Sequence, residues 1–150
     1  MSEATNATPT SRLMQGVIPY IAVKNADDAI AFYRDAFGAI VRGEAVRDES
    51  GRIMNATLEV NGGGLMLMEH LPELGEPPAK GGHSFTLQLV SNDGEEMWER
   101  AVAAGCTISM PFETQFWGDR YGRLDDPFGL VWAINEPSAE SRAAHRTSEA

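Results

Sequence analysis

The sequence predicts a duplicated α+β fold, with the order β-α-β-β-β occurring twice in 150 residues. Three observations carry this. Each copy opens with an apolar, strand-like run ("VIPYIAVKN" and "HSFTLQLV"), and an amphipathic helix follows each run. A stretch rich in proline and glycine, "LPELGEPPAKGG", separates the copies. Residues 1–15 are then a flexible N-terminal tail and 16–71 the first module. Residues 72–82 form the linker, 83–135 the second module and 136–150 a polar C-terminal tail.

In the first copy, Asn25 closes the opening strand and is expected to cap the helix, with Asp28 in the first turn, where the helix dipole favours an anion. Within "ADDAIAFYRDAFG", Ile30, Tyr33 and Phe37 share one helix face, and Gly38 ends the helix. The next 32 residues read as two or three strands. Ser50-Gly51 marks one turn and Asn61-Gly62 a tight hairpin. In the second copy, Asp93 and Glu96 have the spacing of a capping box, and Met97, Ala101 and Ala104 define the helix face as far as Gly105. "CTISMPF" reads as a strand. "RYGRLDDPFGLVWAIN" reads as two strands joined at Asp126-Pro127-Phe128-Gly129. Both tails lack apolar periodicity and are expected to be frayed or loosely helical.

Composition excludes several classes of function. Hydrophobic residues make up 43% and charged residues 23%, as in an ordinary globule with its own core. The net charge of −10 argues against nucleic acid, which Lys and Arg clusters bind. It favours solubility, and its field attracts cations. No run of about 18 apolar residues exists to span a bilayer, and the N-terminal residues have no signal-peptide apolar core. Cys106 is the only cysteine, which suits a reducing compartment; a cytoplasmic protein is expected. No serine sits in a nucleophile elbow, and "NGGGL" fits a hairpin turn better than a phosphate loop.

Four segments, "PYIAVKNADDAIAFYRDAFGA", "GRIMNATLEV", "AVAAGCTISMP" and "WGDRYGRLDDPFGLVWAI", resemble the vicinal oxygen chelate superfamily in wording, order and spacing. That superfamily contains glyoxalase I, bleomycin resistance proteins and extradiol dioxygenases. The likeness covers roughly residues 16–135 and is greatest to the PhnB-like branch. It implies two βαβββ modules with curled mixed sheets around a concave cavity, and a homodimer. It also implies that "WGDRYGRLDDPFG" forms the cavity rim and "LVWAI" its lining.

Metal-dependent members carry His, Glu or Gln at four inward strand positions, where a divalent ion acts as a Lewis acid. The matching residues here are Ile18 or Pro19, Met66 or Met68, Phe85, and Ala133. None is a hard N or O donor. His83 lies two residues from Phe85, but that shift along a strand moves a side chain by about 6.6 Å. PhnB-like relatives often carry histidine where this chain has Asn55 and Leu130. No metal and no cofactor is therefore expected, although Glu69, His70 and His83 flank one linker.

Asp119, Asp125, Asp126 and Glu69 were weighed as general bases; Asp126, before a proline, suits a turn better. Arg123 reads as a surface partner of neighbouring carboxylates. Arg120 suits a carboxylate or enolate at the cavity mouth. Cys106 reads as a buried apolar thiol and Trp98 as core, while His145 belongs to the solvated tail. The expected ligand-binding set is Trp117, Arg120, Asn55, Met68, Phe85 and Trp132, with no catalytic residue assigned. The expected function is metal-independent binding of a small organic ligand, such as sequestration of an antibiotic-like or cationic aromatic molecule. The alternatives are a metal-dependent lyase or isomerase of glyoxalase type, and a dimer whose cavity has closed.

Overall fold

The computed structural model describes residues 10–75 and 83–149. Residues 1–9 of the expected tail and 76–82 of the expected linker lie outside it, as does the side chain of His145. Two compact units divide at Pro77/Pro78. Each contains one β-α-β-β-β module.

In the first unit, a short helix α1 (Thr10–Leu13) precedes β1 (Tyr20–Val23), α2 (Ala26–Phe37), β2 (Ile40–Arg47), β3 (Ile53–Val60) and β4 (Gly63–Glu69). The sheet order is β1-β4-β3-β2, with β1 parallel to β4 and the other pairs antiparallel. The first strand must be parallel to its neighbour because a helix carries the chain back across the sheet. Alternation then sorts the side chains. Ile21, Val23, Leu58, Leu65 and Leu67 are buried with Tyr33 and Phe37 of α2, which packs on β1, β3 and β4. Gly38 ends α2 in the left-handed region at φ 66°, its N–H bonded to Arg34. Asn61 and Gly62, both with positive φ, form the expected tight turn.

The second unit repeats the plan with β5 (Leu87–Val90), α3 (Gly94–Ala104), β6 (Thr107–Thr114), β7 (Arg120–Asp125) and β8 (Val131–Glu136), in the order β5-β8-β7-β6. Strand β5 is shorter than the sequence suggested. Only Leu87–Val90 pair with β8, so His83–Thr86 lie outside it. The buried face of α3 is centred on Trp98 and Ala101, with Met97 at its margin. Trp98 stacks on Phe112 at 5.3 Å.

Two caps differ from expectation in the same way. Asn25 makes no side-chain cap bond; Glu69, at the end of β4, accepts the N–H groups of Asn25 (2.8 Å) and Ala26 (2.9 Å). Asp93 likewise makes no side-chain cap bond, and Glu136, at the end of β8, accepts the N–H of Gly94 at 3.1 Å. In both modules the last strand supplies an anion to the helix N-terminus, where the dipole favours it. Glu69→Ala is expected to cost about 1–2 kcal/mol, the upper part of the range for a lost cap. Urea unfolding checks this.

The C-terminal residues form α4 (Ala139–Glu149). The helix starts on a local cap, with Ser138 Oγ accepting the N–H of Ser141 at 3.0 Å. In the N-terminal segment, Leu13 is 3% exposed and a Cβ placed on Gly64 would meet its carbonyl at 2.7 Å, so α1 lies against the sheet. No helix among the described residues is long and apolar enough to cross a membrane.

Candidate functional site

A sheet covered by a helix on one face leaves the other face for ligands, and strand alternation assigns residues to it. In the first unit that face carries Tyr20, Met66, Thr57 and Arg42 in one row across the strands. Ala22, Met68, Asn55 and Val46 form the next row. Tyr20 and Val46 are exposed, and Met66, Met68 and Asn55 are half-buried. The Tyr20 hydroxyl donates to the Met54 carbonyl at 2.7 Å, which fixes the ring across the sheet. Arg42 forms an ion pair with Glu59, leaving little local charge. The Asn55 amide makes no hydrogen bond among the described residues. Asn55 and Met68, both expected at the site, each lie one residue beyond the paired Ala56 and Leu67 and so share one face.

The corresponding face of the second unit carries Gln88 and Val90 on β5, Val131 and Ala133 on β8, and Tyr121, Arg123 and Asp125 on β7. Arg123 must cross β8 to donate from Nη2 to Thr86 Oγ1, 2.8 Å away, because β8 lies between β7 and the start of β5. The small Ala133 leaves it room. The Nε of Arg123 is buried without a hydrogen-bond partner, and its charge forms no ion pair among the described residues. Asp125 shares the face but makes no ion pair with it.

Arg120, three residues earlier, faces the other way. Its Nη1 lies 3.2 Å from Glu95 of α3 and 3.4 Å from Glu136, and its guanidinium sits 4.5 Å over the Phe112 ring. These contacts fasten α3 to the sheet. Trp132 also faces the helix side: it is 2% exposed and donates from Nε1 to Asp126 at 2.9 Å. Trp117 is half-exposed in the β6–β7 hairpin, edge-on between Phe116 (4.9 Å) and Tyr121 (5.7 Å). Phe85 precedes β5 and lies 5.2 Å from the His83 ring. Of the six expected residues in the binding set, Asn55 and Met68 share the face opposite α2. Arg120 and Trp132 are on the opposite face of their sheet, and Trp117 and Phe85 lie in connecting segments.

Three of the four carboxylates considered as bases have structural partners, and Asp125 has none among the described residues. Glu69 caps α2. Asp126 accepts the Phe128 and Leu130 amides as well as Trp132, which makes it the turn residue that was expected. Asp119 accepts Ser138 N–H at 2.8 Å, Ser141 Oγ at 2.8 Å and Asn135 Nδ2 at 3.1 Å, tying the hairpin to the start of α4. The Ser138 amide is the main reason its carboxyl is held below the ordinary carboxylate range. A carboxyl lowered by folding stabilises fully above its unfolded value, and that contribution is lost as pH falls through the folded one. Asp119→Ala is therefore expected to expose the Ser138 and Ser141 amides to hydrogen exchange at neutral pH. In the parent, the same loss should appear only in acid. Burial pushes the Cys106 thiol up to about 12, with Asp126 and Asp125 adding to the effect, so it is a poor nucleophile.

The four positions at which metal-dependent relatives place donors do not fit a divalent ion here. Met66 and Met68 offer soft thioethers, Ala133 a methyl group, and Ile18, Pro19 and Phe85 hydrocarbon. Among the described residues no three His, Cys, Asp or Glu side chains gather as such a site requires. A concavity of about 440 Å³ at the start of α3 is edged by Asn92, Asp93, Glu95, Glu96, Glu99 and Glu136. Two of those carboxylates already hold Arg120.

These features describe a duplicated βαβββ protein in which the crossover helix of each module covers one face of its sheet. The chain belongs to the glyoxalase/bleomycin resistance protein/dioxygenase superfamily, whose family model matches residues 14–134. It is similar to the uncharacterized protein Mb0911c of Mycobacterium bovis, at 37% identity over 127 residues, 81% of this chain and 83% of that one. Among solved structures it resembles TioX from Micromonospora sp. ML1, at 25% identity and a TM-score of 0.63, over 81% of this chain and 97% of that chain. It also shares its fold with a PhnB protein from Bacillus cereus, at 18% identity and a TM-score of 0.64, over 81% and 98% of the two chains.

Proposed function

We propose that this chain is a PhnB-like, metal-independent binding protein that sequesters a small organic molecule, working as a homodimer. The observation that carries the reading is the face of the first sheet opposite α2, which α1 meets only at Gly64 among the close glycine contacts. There the half-buried Asn55 amide, without a partner among the described residues, sits beside Met68, with Met66 and Tyr20 in the adjoining row. A polar group in such a setting is costly unless it finds a partner, and polarizable thioethers adapt to a flat apolar ligand. The amide would orient the ligand, and the thioethers and ring would contribute contact area. Sequestration is favoured over turnover because three of the four candidate bases are engaged, Glu69 in a helix cap, Asp126 in a turn and Asp119 in tying its hairpin to α4. The lyase reading needs hard donors at positions filled by thioether, methyl and hydrocarbon groups. Thermal unfolding across a panel of aromatic and heterocyclic compounds tests the proposal, since a bound ligand raises the melting temperature by mass action. The expected result is stabilisation that survives a chelator and weakens in Asn55→Ala. Stabilisation that a chelator abolishes would contradict it.

A further inference from the structure

The inference concerns the second unit and rests on the binding reading above. Arg123 is the central side chain of the helix-free face of that sheet. It is held by one bond to Thr86, its Nε is buried without an acceptor, and it forms no ion pair among the described residues. By contrast, Arg42, Arg47, Arg52 and Arg120 all pair with carboxylates. Arg123 stands opposite Ala133 in the β7–β8 pair, and the Ala133 methyl group leaves its side chain room to reach Thr86. Tyr121 projects from the same face two residues earlier, about 6.6 Å along the strand, with its ring against Trp117.

We propose that this face binds an oxyanion on a compact aromatic body, a carboxylate or phosphonate, with Arg123 as its anchor. The guanidinium presents planar N–H donors to paired oxygens. This reverses the ligand charge suggested by the net charge of −10. Charges on the exposed surface are screened beyond about 8 Å at physiological salt, whereas a bound oxygen sits about 3 Å from its donor. At contact, the local guanidinium outweighs the distant field. Asp125 shares the face at one strand repeat and the exposed Glu113 shares it as the partner of Tyr121, whereas Tyr121, Thr86 and Gln88 are uncharged neighbours there.

The test is a titration of the full chain followed in the arginine Nε region of ¹H–¹⁵N spectra, using phenylphosphonate, benzoate, benzamide and benzylamine. The resonance missing from Arg123→Gln assigns the group. The expected result is a saturable shift of that resonance with phenylphosphonate and benzoate. Affinity should be at least tenfold weaker in Arg123→Gln and partly retained in Arg123→Lys, which keeps the charge without Nε. If benzamide or benzylamine binds as well as benzoate, or if Arg123→Gln keeps full affinity for the anions, the anion anchor is overturned while the binding function stands. If none of the four probes binds, the anion anchor falls, and the thermal panel with Asn55→Ala decides the binding function separately.

Discussion

Asp126→Ala is expected to destabilise the chain more than any other single carboxylate replacement. Asp126 is 2% exposed and its carboxylate closes the turn from both sides. One oxygen accepts Phe128 N–H at 2.8 Å and Leu130 N–H at 2.9 Å; the other accepts the Trp132 indole at 2.9 Å. Alanine leaves these donors without an acceptor, two of them on buried residues. Each orphaned buried donor costs about 1–3 kcal/mol, so a total on the order of 3–5 kcal/mol is expected after partial relaxation. Asp126→Asn should fall between the two. It can keep the acceptor for the backbone but can turn a second donor toward the indole. Urea unfolding followed by circular dichroism measures both. An Asp126→Ala protein within 1 kcal/mol of the parent would mean that the turn holds without its carboxylate.

Gly122→Ala is the second large effect. A Cβ at Gly122 would lie 2.7 Å from two atoms of the Trp98 ring and 2.8 Å from the Phe112 Cα. The ring cannot withdraw freely, because it is stacked on Phe112 and sandwiched between α3 and the sheet. Overpacking of this kind typically costs about 1–3 kcal/mol, occasionally more. The upper end is expected, since one of the clashing atoms is backbone. Trp98→Leu in the Gly122→Ala background should recover part of the loss, as a coupled pair does. Simple additivity of the two changes would show that the contact is not what limits residue 122.

Features set by neighbouring residues were legible in the sequence. The stop at Gly38, the Asn61-Gly62 turn and the Asp126 turn each depend on a few adjacent residues, and their chemistry shows at that range. The helix caps were not legible. Glu69 and Glu136 reach helices more than 40 residues earlier, and only the parallel pairing of first and last strands brings them there. The anchoring of α4 by Asp119 was hidden for the same reason.

The site was partly legible. Asn55 and Met68 belong to the expected set, and both lie on the face of their sheet opposite α2. The sequence reading puts Arg120 at the ligand and Arg123 among surface ion pairs, but residues three apart on a strand face opposite ways, and it is Arg120 that pairs with carboxylates. The signal was available: Arg120 shares its parity with Gly122 and the apolar Leu124, whereas Arg123 shares its own with Tyr121. That Glu95 and Glu136 hold Arg120, and that Thr86 holds Arg123, follows only from the strand order.

The most direct test is native mass spectrometry of freshly purified protein, which reports oligomer, metal and retained ligand together. The expected spectrum is a dimer that releases an organic molecule on activation, with no stoichiometric divalent metal and no change after a chelator. A chain carrying one tightly held metal ion, with ligand retention lost on its removal, would contradict metal-independent binding.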